Sequence, residues 1–376
     1  PTHNSVQVFE ALASSASYSD YRAAIGGFGN PASNIAYANQ DGDIALTVTG
    51  RFPLRKPQQG RFIQDGRQRK NAWAGFIPFS HVPVTHNPAR GFVASANQRS
   101  TDLSYPYYYL GSFDDYRGRY LNRILDTFTQ ATVADMQALQ FDSYSLKAEE
   151  LVPLLLRSLD STTLSADEQR AKSTLADWDY RFTGQSRGAV VFQHFLDSLY
   201  QLTFDEVWLH QQEERHLLQP ETWRLIDLLR NQPDHFLLDR LATPATENAD
   251  SLLRQAFRRA VVAAQARNWN EMRATRIQHL ARIEGLGTPI LYTDGARDTP
   301  NALSSSMGPS WRMVVSLEQP VRAWGILPGG ASGNPGSPNY DAGIEEWAQG
   351  AYHVLPFWSG PDDPAVDGPE KIVLQK

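Results

Sequence analysis

Histidines, paired carboxylates and glycine-flanked serines all occur in this chain, but few stand at spacings that could do chemistry. Nine histidines and no cysteine are present in 376 residues. Thiolate catalysis, disulfides and cysteine-based zinc sites are therefore excluded, and imidazole and carboxylate chemistry stay open. His210-Gln-Gln-Glu-Glu-Arg-His216 sets two histidines six positions apart. They fall on different faces of a helix, whereas the zinc-binding His-Glu-x-x-His pair shares one, so the segment reads as a solvated helical face. His81, His86 and His353 sit near prolines or aromatics without a carboxylate at ligand spacing, and they read as structural. Asp114-Asp115 and Glu345-Glu346 are adjacent rather than set across a substrate, which gives neither pair an acid or base role. Gly27-Phe-Gly29 lacks the third glycine of a dinucleotide loop. Gly330-Ala-Ser-Gly-Asn334 ends in asparagine where a nucleophile elbow needs glycine, which leaves Ser332 a loop serine. No metal site emerges from these spacings.

The composition limits what partners the chain can have. Hydrophobic residues make up 41% and charged residues 20%, enough to bury a sizeable core in one large or two ordinary domains. Lysine plus arginine number 35 against 41 acidic residues, a net charge of -6, so no whole-chain attraction to phosphate backbones exists. The stretch 254–282 is locally basic, but acidic residues surround it and no aromatics interleave for base stacking. Nucleic acid is not an expected partner. The apolar run Leu151-Val-Pro-Leu-Leu-Leu156 is far short of the roughly 20 residues that cross a bilayer, so no membrane partner is expected either. The chain opens at Pro1 without a charged-then-apolar leader, and it is expected to begin inside a longer gene product.

Periodicity indicates which elements would position functional groups. Residues 33–101 are rich in glycine, proline and asparagine with short alternating segments such as Ile44-Ala-Leu-Thr-Val48, the pattern of strands and turns. Tyr116, Tyr120, Ile124 and Phe128 then recur every four residues, and Leu253, Phe257, Val261 and Ala264 form a second apolar stripe. Thr132-Val-Ala-Asp135 supplies a helix cap, and 246–267 reads as one long helix with basic residues toward its end. Strand patterns return at Arg312-Met-Val-Val-Ser-Leu317 and Ala323-Trp-Gly-Ile-Leu327. The expected organisation is α+β: a strand-rich part over 1–125, a mainly helical region over 126–285, and a strand-rich return over 286–376. Both strand-rich ends are expected to join one sheet system, with 360–368 on the surface.

Several separated blocks, in order, resemble the carboxy-terminal part of the large subunit of the penicillin acylase family. They begin with Pro31-Ala-Ser-Asn-Ile-Ala-Tyr-Ala-Asn-Gln-Asp-Gly-Asp-Ile44 and Gly50-Arg-Phe-Pro-Leu-Arg55. Trp73-Ala-Gly-Phe-Ile-Pro-Phe79, Asn87-Pro-Ala-Arg-Gly-Phe-Val-Ala-Ser-Ala-Asn-Gln98 and Tyr116-Arg-Gly-Arg-Tyr-Leu-Asn-Arg-Ile124 follow. Gln140-Phe-Asp-Ser-Tyr-Ser145, Leu175-Ala-Asp-Trp-Asp179, Gly308-Pro-Ser-Trp-Arg-Met-Val-Val315 and Pro328-Gly-Gly-Ala-Ser-Gly-Asn-Pro-Gly-Ser-Pro-Asn-Tyr340 complete the series.

The resemblance implies a four-layer αββα N-terminal-nucleophile hydrolase fold with a helical insertion over about 126–285. It implies hydrolysis of a linear or cyclic amide through an acyl-enzyme on an N-terminal serine, whose own α-amino group, titrating near about 8, serves as base. No such serine begins this chain, so the nucleophile is expected on the remaining acylase segments, the small subunit and the start of the large one, and this chain alone is expected to be inactive. Asn97 falls on the family's oxyanion-stabilising asparagine, and Arg117 on an arginine that holds the site's surroundings. Ser33 falls where penicillin-cleaving relatives carry an apolar residue lining the acyl pocket, a departure that weakens phenylacetyl amides as substrates. Asn34 is assigned to the strand edge nearby. No cofactor is required, and calcium is allowed as a structural ion, although no carboxylate set stands near residues 105–109. Periplasmic location is a family expectation. An acyl-homoserine-lactone or fatty-amide acylase, or a non-catalytic binding subunit, are the alternatives carried forward.

Overall fold

The computed structural model describes residues 5–160, 162–209, 220–265, 267–358, 360 and 363. His210 and His216, and nearly all of 360–368, lie outside the described residues. Two helices open the chain, α1 (Ser5–Ala13) and α2 (Tyr18–Ile25), although this end reads as strand-rich from sequence. Tyr21 and Ile25, one turn apart, bury one face of α2 against Val8 of α1 and Phe28, and the Ser17 side chain caps α2 by accepting from the Asp20 amide. Against this small core lies an antiparallel sheet of β1 (Ser33–Ala38), β2 (Ile44–Thr49) and β3 (Val84–His86), in that order. Ser33 pairs with Thr49 and Asn34 with Val48. The long stretch from β2 to the next helix is mostly irregular, pinned by side chains such as buried Gln59, whose amide donates to the Asn71 carbonyl at 2.6 Å.

The helical part comprises α3 (Tyr116–Leu125), α4 (Val133–Phe141), α5 (Leu146–Leu159), α6 (Ala166–Ala176), α7 (Arg187–Thr203), α8 (Asp205–Leu209), α9 (Thr222–Asn231), α10 (Ala249–Ala264) and α11 (Trp269–Arg273). Capping boxes start four of them, Thr132 with Asp135, Ser165 with Glu168, Asn248 with Ser251 and Asn268 with Glu271, so orphan amides of the first turns are satisfied. Both apolar stripes read from sequence face one continuous core. The helix expected over 246–267 is shorter than its pattern, because Asn248 caps its start and Gln265, at φ 51°, ends it. Its arginines, Arg254, Arg258 and Arg259, sit mid-helix and leave no basic residue in the last turn, which corrects the expected charge gradient.

The remaining strands, β4 (Arg312–Ser316), β5 (Arg322–Ile326) and β6 (His353–Leu355), form a second antiparallel sheet in that order, with α12 (Ile344–Gln349) beside them. Among the described residues the two sheets share no strand pairing, so the expectation of one sheet system uniting both ends is not met. β4 instead packs on α4, where Gln140 donates to the Met313 carbonyl at 2.9 Å. Asp142, just after α4, collects partners from distant segments: the Tyr120 hydroxyl at 2.5 Å, the Tyr144 amide at 2.8 Å and the Arg181 guanidinium on its carboxylate, and the Asn301 amide at 2.9 Å on its carbonyl. No helix of the described residues is long and apolar enough to cross a membrane.

α10 packs against both α7 and α5, and its Phe257 is fully buried. Phe257→Ala is expected to destabilise the protein by about 3–5 kcal/mol, read as a lowered denaturant midpoint with an unchanged slope.

Candidate functional site

The 94–98 loop is shaped by one side chain. Gln98 accepts from the Ala96 amide at 2.6 Å and donates to the Ala94 carbonyl at 3.1 Å, closing the loop on itself around buried Ala96. Asn97 then stands at φ 66°, a left-handed conformation asparagine tolerates better than most residues, and its side chain is exposed. The loop rests on α3 at Gly118, where a Cβ would stand 2.9 Å from the Gln98 amide carbon. Glycine is needed there for the helix and loop to approach.

One residue before Gly118, Arg117 reaches across and donates from Nη2 to Asn97 Oδ1 at 2.7 Å. A guanidinium can only donate, so the contact fixes which end of the amide is oxygen. The Asn97 Nδ2 group is left with no acceptor among the described residues. Asn34 joins the same loop, donating from Nδ2 to Ser95 Oγ at 2.7 Å. The structure thus gathers Asn97, Arg117 and Asn34 about one loop. Ser33, the neighbouring strand residue, points to the opposite face, its hydroxyl donating to the Pro31 carbonyl at 3.3 Å, and it takes no part in that hydrogen-bonded set. Ser95, Gln98 and Gly118 are positioning residues for which the sequence reading gave no role. The only signal for Gly118 is a glycine inside an otherwise regular helical stripe.

α3 is held by its own neighbours. Tyr116 and Tyr120 are buried, and burial pushes both phenols well above their ordinary pKa, keeping them neutral. Asp115 pairs with Arg119 at 3.2 Å, Arg119 also with Glu150, and Arg123 with Glu149 at 2.9 Å. The hydrogen bond from Arg123 is the main reason the Glu149 carboxyl lies below its ordinary pKa. Asp114 accepts from the Tyr116 amide at 3.0 Å and faces buried Lys147 at 3.5 Å. Both carboxylates of the 114–115 pair therefore serve the helix start.

The other sequence candidates are structural. His81 Nδ1 lies 2.5 Å from the Tyr107 hydroxyl, and His86 stacks on Tyr18 with ring centroids 3.7 Å apart. Ser332 Oγ accepts from the Asn334 amide. Among the described residues no group of three or more His, Asp or Glu side chains could hold a metal ion. Near residues 105–109 the nearby Asp102 carboxylate is occupied by the Ser104 amide and hydroxyl, and the surroundings are tyrosine rings. These residues do not fit calcium.

A sequence model of the family described as penicillin amidase matches residues 1–360. The chain belongs to that family. The acyl-homoserine lactone acylase QuiP of Pseudomonas syringae pv. syringae (strain B728a) is 26% identical to it over 377 residues, covering 86% of this chain and 44% of the relative. The penicillin acylase 2 proenzyme of Pseudomonas sp. (strain SE83) is 24% identical over 341 residues, covering 84% and 43%. The chain therefore spans less than half the length of these curated relatives. A thermostable penicillin G acylase from Alcaligenes faecalis matches in structure with a TM-score of 0.67 at 14% identity, over 99% of this chain and 73% of that one. The chain thus shares the mixed helix-and-sheet fold of that penicillin G acylase.

Gly118→Ala is expected to push Gln98 aside and cost about 1–3 kcal/mol. In a crystal structure of the variant, Arg117 should no longer reach Asn97; an unmoved loop at unchanged stability would contradict the proposed role of this contact.

Proposed function

We propose that this chain supplies the oxyanion-stabilising part of an acylase that hydrolyses a carboxylic amide. The observation that carries this reading is the Arg117 to Asn97 hydrogen bond of 2.7 Å, which ties up the amide oxygen and leaves the amide N–H donors free on an exposed loop. A donor held in advance where negative charge develops stabilises a tetrahedral intermediate without reorganising. The nucleophile of the reading is an N-terminal serine outside this chain. Its hydroxyl attacks the amide carbon and gives its proton to the serine's α-amino group. The carbonyl oxygen becomes the oxyanion facing Asn97, the amine leaves with the proton, and water then hydrolyses the acyl-enzyme to release a carboxylic acid. Arg117 acts through Asn97, and Asn34 holds the loop from the strand side. Ser33, which faces away from the Asn97 loop, is assigned to the far wall of the acyl pocket, as a hydroxyl in place of an apolar residue.

The remaining acylase segments are the proposed partners, assembled by processing of a precursor, with a periplasmic location and any structural calcium held outside the described residues. The relatives named acyl-homoserine lactone acylase favour an acyl-homoserine lactone as the first substrate to try, and the Ser33 departure argues against a phenylacetyl group. A non-catalytic binding subunit would give no turnover with any amide.

The test uses the protein that carries this chain. Intact-mass analysis and amino-terminal sequencing are expected to find a polypeptide beginning with serine. In that material Asn97→Ala should lower kcat by about 10²–10³ with the circular dichroism spectrum unchanged. Arg117→Met should lower kcat more than it raises KM, and Arg117→Lys should recover part of the loss. Unchanged turnover in Asn97→Ala would remove the assignment.

A further inference from the structure

On different elements from the Asn97 loop, a cavity of about 290 Å³ opens between α7, α11 and the 296–305 loop. Its apolar walls include Phe182, Phe192, Leu196, Trp269 and Met272. Phe182 and Trp269 meet edge to face with centroids 4.8 Å apart, and the indole N–H is spent on the Gly295 carbonyl at 2.8 Å, so the wall is held in shape. Ser145, Gln193, Ser304 and Ser305 also line it, and a wholly apolar void of roughly 150 Å³ takes a benzene ring. This cavity is about twice that size.

Its charges do not balance. Asp298 lines the cavity, but its carboxylate is already paired with buried Lys147 at 2.6 Å. Arg273, also in the wall, is 7% exposed. Its guanidinium donates to the Gly295 and Thr293 carbonyls, its Nε has no partner, and among the described residues no carboxylate makes an ion pair with it. Burial lowers its pKa to about 10, an effect that Asp294 only partly offsets. Arg297 lines the cavity as an exposed residue, with no hydrogen bond or ion pair among the described residues. Two arginines therefore line a chamber with one aromatic and aliphatic wall, and its one lining carboxylate is already paired with Lys147. An anionic group there would supply the missing counter-charge, and an apolar body would displace water from the aromatic walls.

We propose that this cavity binds an amphiphilic monocarboxylate, with its apolar body between the aromatic walls and its carboxylate paired with Arg297. The assignment goes beyond the acylase reading and does not depend on it. A phosphate-like dianion would leave the aromatic walls unused. A neutral amphiphile would leave the charge unpaired. The pattern of apolar pocket, few polar groups and a perturbed ionisable side chain is the usual one for a small-molecule site.

Calorimetric titration of the protein carrying this chain with octanoate and with 1-octanol tests the proposal. Octanoate is expected to bind about ten- to hundredfold tighter than octanol, the range of a charge-assisted hydrogen bond. Arg297→Gln, at an exposed position that should leave folding intact, is expected to remove most of that difference. Leu196→Trp, which fills the chamber, is expected to abolish binding of both. Equal affinity for the two ligands, no binding of either at millimolar concentration, or octanoate affinity unchanged by Arg297→Gln would overturn it.

Discussion

A half-buried arginine can hold an exposed asparagine in one orientation only if the helix that carries the arginine cannot shift. The structure meets that constraint by burying the face of α3 beside Arg117. Tyr116 and Tyr120 are 1% and 3% exposed, and Tyr120 donates into Asp142. The ion pairs of Arg119 and Arg123 with α5 are partly exposed, so each adds little by itself. Their effect is to fix the rotation of α3 about its axis, while the tyrosines hold it in the core. Arg117 inherits its position from that anchoring, and the Asn97 amide inherits its orientation from Arg117. The helical body and the loop that carries the candidate site are thus coupled through one short helix.

Much of the helical part was legible in the sequence because its physics is local. Four-residue stripes such as Tyr116, Tyr120, Ile124 and Phe128 predict a buried face, and Thr132 with Asp135 predicts a cap. Both predictions are met. The helices α1 and α2 escaped because they are nine and eight residues long, too short for a stripe to repeat. β3 and β6 contain three residues each and show no alternation. That the two ends form separate sheets depends on long-range pairing, which alternation within a strand cannot specify.

The site was legible only in part. Asn97 and Arg117 entered through the resemblance, and nothing in the spacing of residues 20 apart predicts that they touch. Their contact depends on the left-handed backbone at Asn97, the Gln98 side chain that folds the loop, and the bare face of α3 at Gly118. Each is ordinary in isolation. Ser33 and Asn34 show the limit of reading neighbours together, since strand alternation sends one to the loop and the other away from it.

Asp142 has a consequence for the order in which the chain can be assembled. Its partners come from residues 120, 144, 181 and 301, so the junction beneath α3 closes a loop of well over a hundred residues. A chain emerging from the ribosome can form its helices and their caps early, because those contacts are local. It cannot complete this junction until the 301 segment has been made, and the entropy of that closure is met late. The junction under the helix that carries Arg117 is thus completed by a segment made long after the loop bearing Asn97.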